Sequence, residues 1–195
     1  MPKVLVVNNY PSRERVVRLE ACFEGNGASV TPAEWDDVSA SKFGGFDGVV
    51  LSGSPDMMSE AKTQAKFGAE AEALRDSEVP VLGVCFGHQL MAHAFGAQVV
   101  KDKQHVLGMV ETTVLKNDPL FRGLPASLML LESRYEVVKS LPGEFSLLAK
   151  SATSGIATMK HRKRPLYGVQ FHPERFTAEN PEGDKVVGNF VGLLK

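Results

Sequence analysis

Cysteine is scarce in this sequence. The 195 residues contain two, Cys22 and Cys85, and two cysteines are too few for a disulfide framework. Disulfides are in any case rare in reducing compartments. The simplest interpretation is a cytoplasmic protein in which Cys85 is a free thiol.

Net charge and long apolar runs are also lacking. The formal charge is −1 at pH 7, so no net basic field would hold nucleic acid or an anionic membrane. No apolar run is long enough to cross a bilayer, and the first residues, MPKVLVVNNY, do not have the pattern of a signal peptide. His93 and His105 have no partner at a metal-ligand spacing. We therefore expect no nucleic-acid or membrane partner, no metal and no other cofactor.

The sequence does contain an alternation of strands and helices in its first half. The runs that we interpret as strands lie at residues 3–8, 28–31, 47–51 and 80–84. Helical patterns separate or follow them, at residues 60–76 and 86–95 among others. Continuous apolar strands joined by helices indicate a parallel sheet that is covered on both faces.

After Gly96 the pattern changes to strands joined by turns. These strands are predicted at residues 109–115, 128–131, 145–148, 156–159 and 166–171, and a helix at 183–194 follows. The prediction is a single α/β domain over residues 1–195. It has an open, mostly parallel twisted sheet flanked by helices, with an antiparallel portion in the C-terminal half.

Cys85 follows a buried run and lies between Gly83 and Gly87. This is the G-x-nucleophile-x-G pattern of a strand-to-helix elbow. An elbow would place the thiol at a helix N-terminus, where the helix dipole favours a thiolate. Cysteine is also among the residues most often buried, so a core cysteine is the alternative at this point, and we expect Cys22 to be one.

His172 and Glu174 lie in the segment GVQFHPE at residues 168–174. Pro173 favours an extended conformation of the residue before it, and residues two apart in an extended chain point to the same side. The imidazole could then serve Cys85 as a base while the carboxylate orients the imidazole. Together with the elbow, this pattern favours a catalytic triad over a surface loop.

The loop Ser52-Gly53-Ser54-Pro55 follows another buried run. A glycine-containing turn there can direct a backbone N–H toward the thiol. With the N–H of Phe86 it would form an oxyanion hole with two donors. An ordinary turn that ends a strand is the alternative.

Three segments resemble, in order and spacing, those of the class I (triad) glutamine amidotransferases. They are LSGSP (51–55), GVCFGHQ (83–89) and GVQFHPE (168–174). The resemblance covers nearly the whole chain and implies the flavodoxin-like fold of that family, with L-glutamine as substrate. It implies a catalytic triad of Cys85, His172 and Glu174, oxyanion N–H groups at Gly53 and Phe86, and glutamine contacts at Ser52, Gln89 and Tyr135.

Other segments are similar to the free-standing glutaminase subunits of two-subunit GMP synthetases. They are SGSPDM (52–57), NDPLF (117–121) and MKHRKRPLYGVQFHPE (159–174). This similarity implies that ammonia passes to an ATP-dependent synthetase subunit, of the ATP-pyrophosphatase type, which is a separate chain and aminates XMP. One departure is Ser-Arg-Tyr-Glu at 133–136, where those subunits usually carry Ser-His-Gly-Asp.

Three other functions fit parts of the pattern. A self-sufficient thiol hydrolase of γ-glutamyl peptides or related amides would use the same triad. An α/β-hydrolase is disfavoured, because its acid normally precedes the histidine. A binding module with a relict triad is disfavoured by the intact Cys85, His172 and Glu174. The basic run at residues 160–164 is interpreted as a solvated hairpin tip, with a docking patch as the alternative.

Overall fold

The structure is a computed structural model, and it describes residues 1–194. The strands are β1 (Lys3–Asn8), β2 (Ser29–Glu34), β3 (Gly48–Leu51), β4 (Val81–Val84), β5 (Val99–Val114), β6 (Ser127–Val138), β7 (Phe145–Ser151), β8 (Thr158–His161) and β9 (Leu166–Val169). The α-helices are α1 (Val17–Gly25), α2 (Ala40–Phe43), α3 (Ala61–Lys66), α4 (Gly68–Asp76), α5 (Phe86–Ala94) and α6 (Glu182–Val191). Short 3-10 turns lie at Arg13–Arg15, Pro119–Phe121 and Pro173–Arg175.

All of these strands join one sheet, in the order β2-β1-β3-β4-β9-β8-β7-β5-β6. Pairing is parallel from β2 through β9. From β9 through β6 it is antiparallel. The predicted α/β class, with a parallel sheet and an antiparallel portion in the C-terminal half, is confirmed, and the antiparallel portion extends over as many pairings as the parallel one. That the domain spans 1–195 stays a prediction, because Lys195 lies outside the described residues.

The parallel strands β1, β3, β4 and β9 are buried on both faces, which explains their continuous apolar sequences, whereas the edge strand β2 is mostly exposed. Along β1, Val4 and Val6 face a core that α1 and α6 cover. Leu5 and Val7 face a second core on the other side, covered by α4 and α5. This alternation follows from the period of two along a strand. Cys22 packs in the first core, as expected.

Two predicted elements differ from the structure. The helix expected over 60–76 is interrupted at Phe67, whose ring is fully buried against Phe86, with 4.7 Å between ring centroids. The strands expected at 109–115 and 128–131 are parts of β5 and β6, which have 16 and 12 residues. The pattern underestimated them because polar and apolar residues alternate there, since only one face of this ribbon is well buried. The short helix α2 was not predicted.

Candidate active site

One cleft lies where the carboxyl ends of the parallel strands meet, which is where open α/β sheets bind ligands. It has a volume of about 160 Å³. Its walls include residues that follow β1, β3, β4 and β9, together with residues of β5 and β6: Tyr10, Arg15, Ser54, Cys85, Gln89, His105, Ser133, Tyr135, His172 and Arg175. The structure therefore brings Cys85 and His172 to one cleft, although 86 positions of sequence lie between them.

Cys85 occupies a strained turn between β4 and α5. Its φ is +52°, and within residues 1–194 no other non-glycine residue has a positive φ. Its N–H donates to the Val169 carbonyl at 2.8 Å, so the parallel ladder continues to Cys85. Strain of this kind persists where the surrounding structure enforces it, and it concentrates at functional sites. The geometry matches the predicted elbow.

The two glycines of the elbow are required by close backbone packing. A Cβ on Gly83 would lie 2.5 Å from the Gly87 carbonyl oxygen. A Cβ on Gly87 would lie 2.5 Å from the Leu51 carbonyl oxygen. Helix α5 therefore begins directly against the backbones of β4 and β3, which fixes the thiol of Cys85 at the start of that helix.

His172 and Glu174 lie on one side, as the segment GVQFHPE predicts. His172 is extended, with φ −100° and ψ 91°, and its Nδ1 lies 2.8 Å from Glu174 Oε1. Both residues are buried. The His172 N–H donates to the Leu131 carbonyl at 2.8 Å, so strand β6 holds the imidazole in position.

The charges at this site favour an imidazolium. Burial alone would lower the pKa of His172, but the negative charges of Glu174 and Cys85 outweigh it and raise that pKa to about 10. In the same way, burial would raise the pKa of Glu174, and the facing imidazolium reverses this and lowers it. His172 and Cys85 line the same cleft, so the charged imidazole and the thiol share one site.

The two predicted oxyanion donors lie in the loop after β3 and at the start of α5, and their role stays a prediction. The N–H groups of Gly53 and Phe86 have no hydrogen-bond acceptor among residues 1–194. A Cβ on Gly53 would lie 2.3 Å from Tyr10 Oη and 3.1 Å from His172 Cε1. Only glycine therefore fits at this position in the loop after β3.

Ser52 lies beneath the cleft rather than in its wall. It is fully buried, its Oγ accepts from the Asn9 N–H at 2.9 Å, and its hydroxyl lies 2.9 Å from the Gly53 carbonyl oxygen. This arrangement holds the loop that carries Gly53. A direct contact of Ser52 with glutamine stays a prediction.

Gln89 and Tyr135 both line the cleft. The Gln89 side chain is buried, and its Nε2 donates to the Glu136 carbonyl at 2.9 Å, which links α5 to β6. Tyr135 is 57% exposed and stacks on His105, with 4.1 Å between ring centroids. The two rings form part of the rim of the cleft. Contacts of Gln89 and Tyr135 with substrate also stay predictions.

Sequence reasoning missed several residues of the cleft, Tyr10 above all. Tyr10 follows β1, and the carboxyl end of β1 lies at the same edge as those of β3, β4 and β9. That topological signal would have identified it. His105 was missed as a site residue because the strand was predicted to begin at Met109. Among residues 1–194, no group of three or more His, Cys, Asp or Glu side chains is arranged to hold a metal ion.

Comparison with known proteins identifies the family. The sequence model of the family described as "Glutamine amidotransferase class-I" matches residues 5–192. The chain belongs to the class-I glutamine amidotransferases. This class-I amidotransferase is 36% identical over 199 residues to a glutamine-hydrolysing GMP synthase subunit of Methanothrix thermoacetophila, covering 99% of each chain. It is 34% identical over 196 residues to a protein of the same name from Thermoplasma acidophilum, covering 99% of this chain and 93% of the other.

Solved structures agree with this family. A crystal structure from Thermoplasma acidophilum, provisionally assigned as a GMP synthase subunit, has a TM-score of 0.85 and 31% identity, over 99% of this class-I amidotransferase and 94% of the other chain. A glutamine amidotransferase from Thermotoga maritima has a TM-score of 0.72 at 21% identity, over 89% and 76%, which shows the shared fold. The family resemblance in the sequence motifs is confirmed, and the chain is a glutamine amidotransferase.

Proposed function

We propose that this chain is the glutaminase subunit of a two-subunit GMP synthase. It hydrolyses the side-chain amide of L-glutamine and supplies ammonia to a separate ATP-dependent synthetase chain, of the ATP-pyrophosphatase type, which aminates XMP in the cytoplasm. The observation that carries the proposal is the buried His172–Glu174 pair, 2.8 Å apart, in the same cleft as the thiol of the Cys85 elbow. The names of relatives that cover 99% of the chain support the choice of synthetase.

The proposed reaction uses the triad in two stages. Cys85 Sγ attacks the carboxamide carbon, and the carbonyl oxygen takes the negative charge within reach of the Gly53 and Phe86 N–H groups. His172 then protonates the amide nitrogen, the C–N bond breaks, and ammonia leaves a thioester on Cys85. Water, deprotonated by His172, attacks the thioester and releases glutamate. Glu174 holds Nδ1 of the imidazole throughout.

A synthetase partner would control this reaction. Hydrolysis without an acceptor would waste glutamine, so we expect the isolated chain to be slow. The partner, loaded with ATP and XMP, would shift the site toward its active state. The region best placed to respond is residues 133–136 of β6. The Ser133 carbonyl lies 3.6 Å from Cys85 Sγ, and Tyr135 is exposed at the rim.

Steady-state glutaminase assays test the proposal. The chain is assayed alone and with an XMP-aminating synthetase supplied with ATP and XMP. We expect a low basal rate, a large increase with the loaded partner, and no activity in Cys85→Ala. A glutamine-like diazoketone should label Cys85 in preference to Cys22, and Cys22→Ser serves as the matched control.

Two outcomes would contradict the proposal. Turnover that survives in Cys85→Ala would show that Cys85 is not the nucleophile. Full activity of the isolated chain that no synthetase changes, together with hydrolysis of γ-glutamyl peptides, would instead indicate the self-sufficient thiol hydrolase.

A further inference from the structure

Tyr10 is held firmly at the edge of the cleft. Its N–H donates to Asn8 Oδ1 at 3.1 Å, and its carbonyl accepts from Asn8 Nδ2 at 3.2 Å. The next residue back, Asn9, donates its N–H to Ser52 Oγ at 2.9 Å. The turn after β1 is thus fixed to itself and to the loop that carries Gly53. These bonds fix the backbone position from which the Tyr10 side chain extends.

The hydroxyl of Tyr10 lies against Gly53 and close to the imidazole of His172. A Cβ added to Gly53 would lie 2.3 Å from Tyr10 Oη and 3.1 Å from His172 Cε1. The hydroxyl and the imidazole therefore lie on the same side of the Gly53 Cα. Tyr10 shares the cleft wall with Cys85. Its hydroxyl makes no hydrogen bond within residues 1–194, where the bonds of Tyr10 are all made by its backbone.

The surroundings keep this hydroxyl protonated. Burial raises the pKa of Tyr10, and the negative charges of Cys85 and Glu174 raise it further. A phenol that keeps its proton is a donor, and a donor with no acceptor in the protein is available to the substrate. Negative charge develops on the carboxamide oxygen when Cys85 attacks, and donors directed at such an oxygen stabilise the transition state.

We propose that Tyr10 is a further catalytic residue, whose hydroxyl donates a hydrogen bond to the carboxamide oxygen as that oxygen gains negative charge. This inference rests on the proposed function. When the bond from Cys85 Sγ to carbon forms, the carbonyl π pair moves onto oxygen. Tyr10 keeps its proton and acts as a third donor beside Gly53 and Phe86. When His172 protonates the nitrogen and the C–N bond breaks, the carbonyl forms again.

Tyr10→Phe removes only the hydroxyl oxygen and is the first test. We expect kcat to fall about 10- to 100-fold while KM changes less than about twofold, because the bond is strongest in the transition state. The chain has three tyrosines, and Tyr167→Phe is the matched control. Tyr167 is a buried residue of β9, and its hydroxyl interacts with Lys160 and Asp118 rather than with the cleft. Thermal unfolding of both variants shows whether each is folded.

Binding of L-glutamate γ-semialdehyde is the second test. The Cys85 thiol adds to the aldehyde carbon, and the oxygen of the resulting hemithioacetal occupies the place of the oxyanion. We expect Tyr10→Phe to weaken this binding by roughly tenfold or more and Tyr167→Phe to leave it unchanged. An aldehyde affinity that Tyr10→Phe leaves unchanged would overturn the inference, even if kcat fell, because the hydroxyl would then act elsewhere.

These readouts separate the inference from the proposed function. Glutaminase activity that Tyr10→Phe leaves intact would overturn the inference alone. The chain could instead bind the aldehyde through Tyr10 but hydrolyse no glutamine, even with its partner. That result would overturn the proposed function and leave Tyr10 as the donor for another amide. A wild-type chain that neither hydrolyses glutamine nor binds the aldehyde would overturn both.

Discussion

The two halves of the sheet position their parts of the cleft by different means. In the parallel half, Gly83 and Gly87 bring backbones so close that no side chain fits between them, and Cys85 takes a positive φ. In the antiparallel half, a backbone ladder pairs β5 with β6 as a ribbon, and the buried Arg134 of β6 pairs with two carboxylates. Arg134 Nε lies 2.8 Å from Glu132 Oε2, and Arg134 Nη1 lies 2.5 Å from Asp102 Oδ2.

Under the proposed function, the elbow carries the chemistry and the ribbon its control. Backbone packing leaves the elbow with one conformation, as a nucleophile requires. The ribbon is paired along its backbone but has a register shift between Lys101 and Val106, where the Arg134–Asp102 ion pair links its two strands. The exposed rim formed by Tyr135 and His105 could respond to a partner while the backbone packing of Gly83 and Gly87 stays unchanged. Substitutions that act on one half alone test this comparison.

The largest expected effect is on the base that faces the elbow. His172→Ala should lower kcat on the order of 10⁴-fold or more, because loss of a triad base removes most of the catalysis. For Glu174→Gln, the fold-loss of kcat should be at least about tenfold smaller than for His172→Ala. Cys85 and His172 still meet in this variant, and a thiol is intrinsically nucleophilic. Steady-state kinetics of both variants, with thermal unfolding as a check on folding, give the ratio.

Two kinetic results would contradict the roles predicted for His172 and Glu174. Near-normal turnover in His172→Ala would mean that another group is the base. Equal loss in both variants would mean that Glu174 does more than orient the imidazole.

How far the sequence predicts the molecule also differs between the two halves. The parallel half is predictable because continuous apolar runs and glycine elbows are local signals, and GVCFGHQ predicted the elbow at Cys85 directly. The ribbon was predicted too short because its polar positions on one face weaken the pattern. Tyr10 could have been placed at the cleft because it follows β1, but its contact with Gly53 and the Arg134 cluster depend on long-range strand pairing. The local sequence around Asn8-Asn9-Tyr10 contains no pattern that predicts the contact of Tyr10 with Gly53.

The next largest effect is on stability, in the antiparallel half. Arg134→Ala should lower the free energy of unfolding by about 3–5 kcal/mol, because it leaves the fully buried carboxylate of Glu132 without its partner. Arg13→Ala is the matched control. Arg13 pairs with Glu20 and Glu34, but its side chain is 44% exposed, so its loss should cost about 0–1 kcal/mol. Urea unfolding measures both, and equal small losses would show that the buried cluster does not hold the ribbon.

A smaller effect concerns pH and Glu70, in the parallel half. Burial raises the pKa of Glu70 from 4.5 to about 8, although the hydrogen bond from Asn9 lowers it in part. Below pH 4.5 the carboxyl is protonated in both folded and unfolded chains. Between pH 4.5 and 8 the unfolded chain releases a proton that the folded chain keeps, so stability falls as pH rises, and above pH 8 the loss is complete.

Glu70→Gln removes this titration. Its Tm relative to wild type should therefore be higher at pH 9 than at pH 5. Glu72→Gln, an exposed position on the same helix, is the control. A Tm difference for Glu70→Gln that does not change with pH would show that Glu70 is ionised in the folded protein.

The smallest expected effect is on the rim of the cleft. Tyr135→Gly removes the ring that stacks on His105, so it opens the approach to Cys85 while leaving the elbow unchanged. The basal glutaminase rate should rise several-fold, on the order of 1 kcal/mol in the barrier, and stimulation by the loaded synthetase should weaken. Leu107→Ala, an exposed apolar position on the same ribbon that does not line the cleft, is the control. A basal rate that Tyr135→Gly leaves unchanged would place the control of this enzyme away from the rim. The residues of the ribbon that respond to the partner would then be expected in the Arg134 cluster.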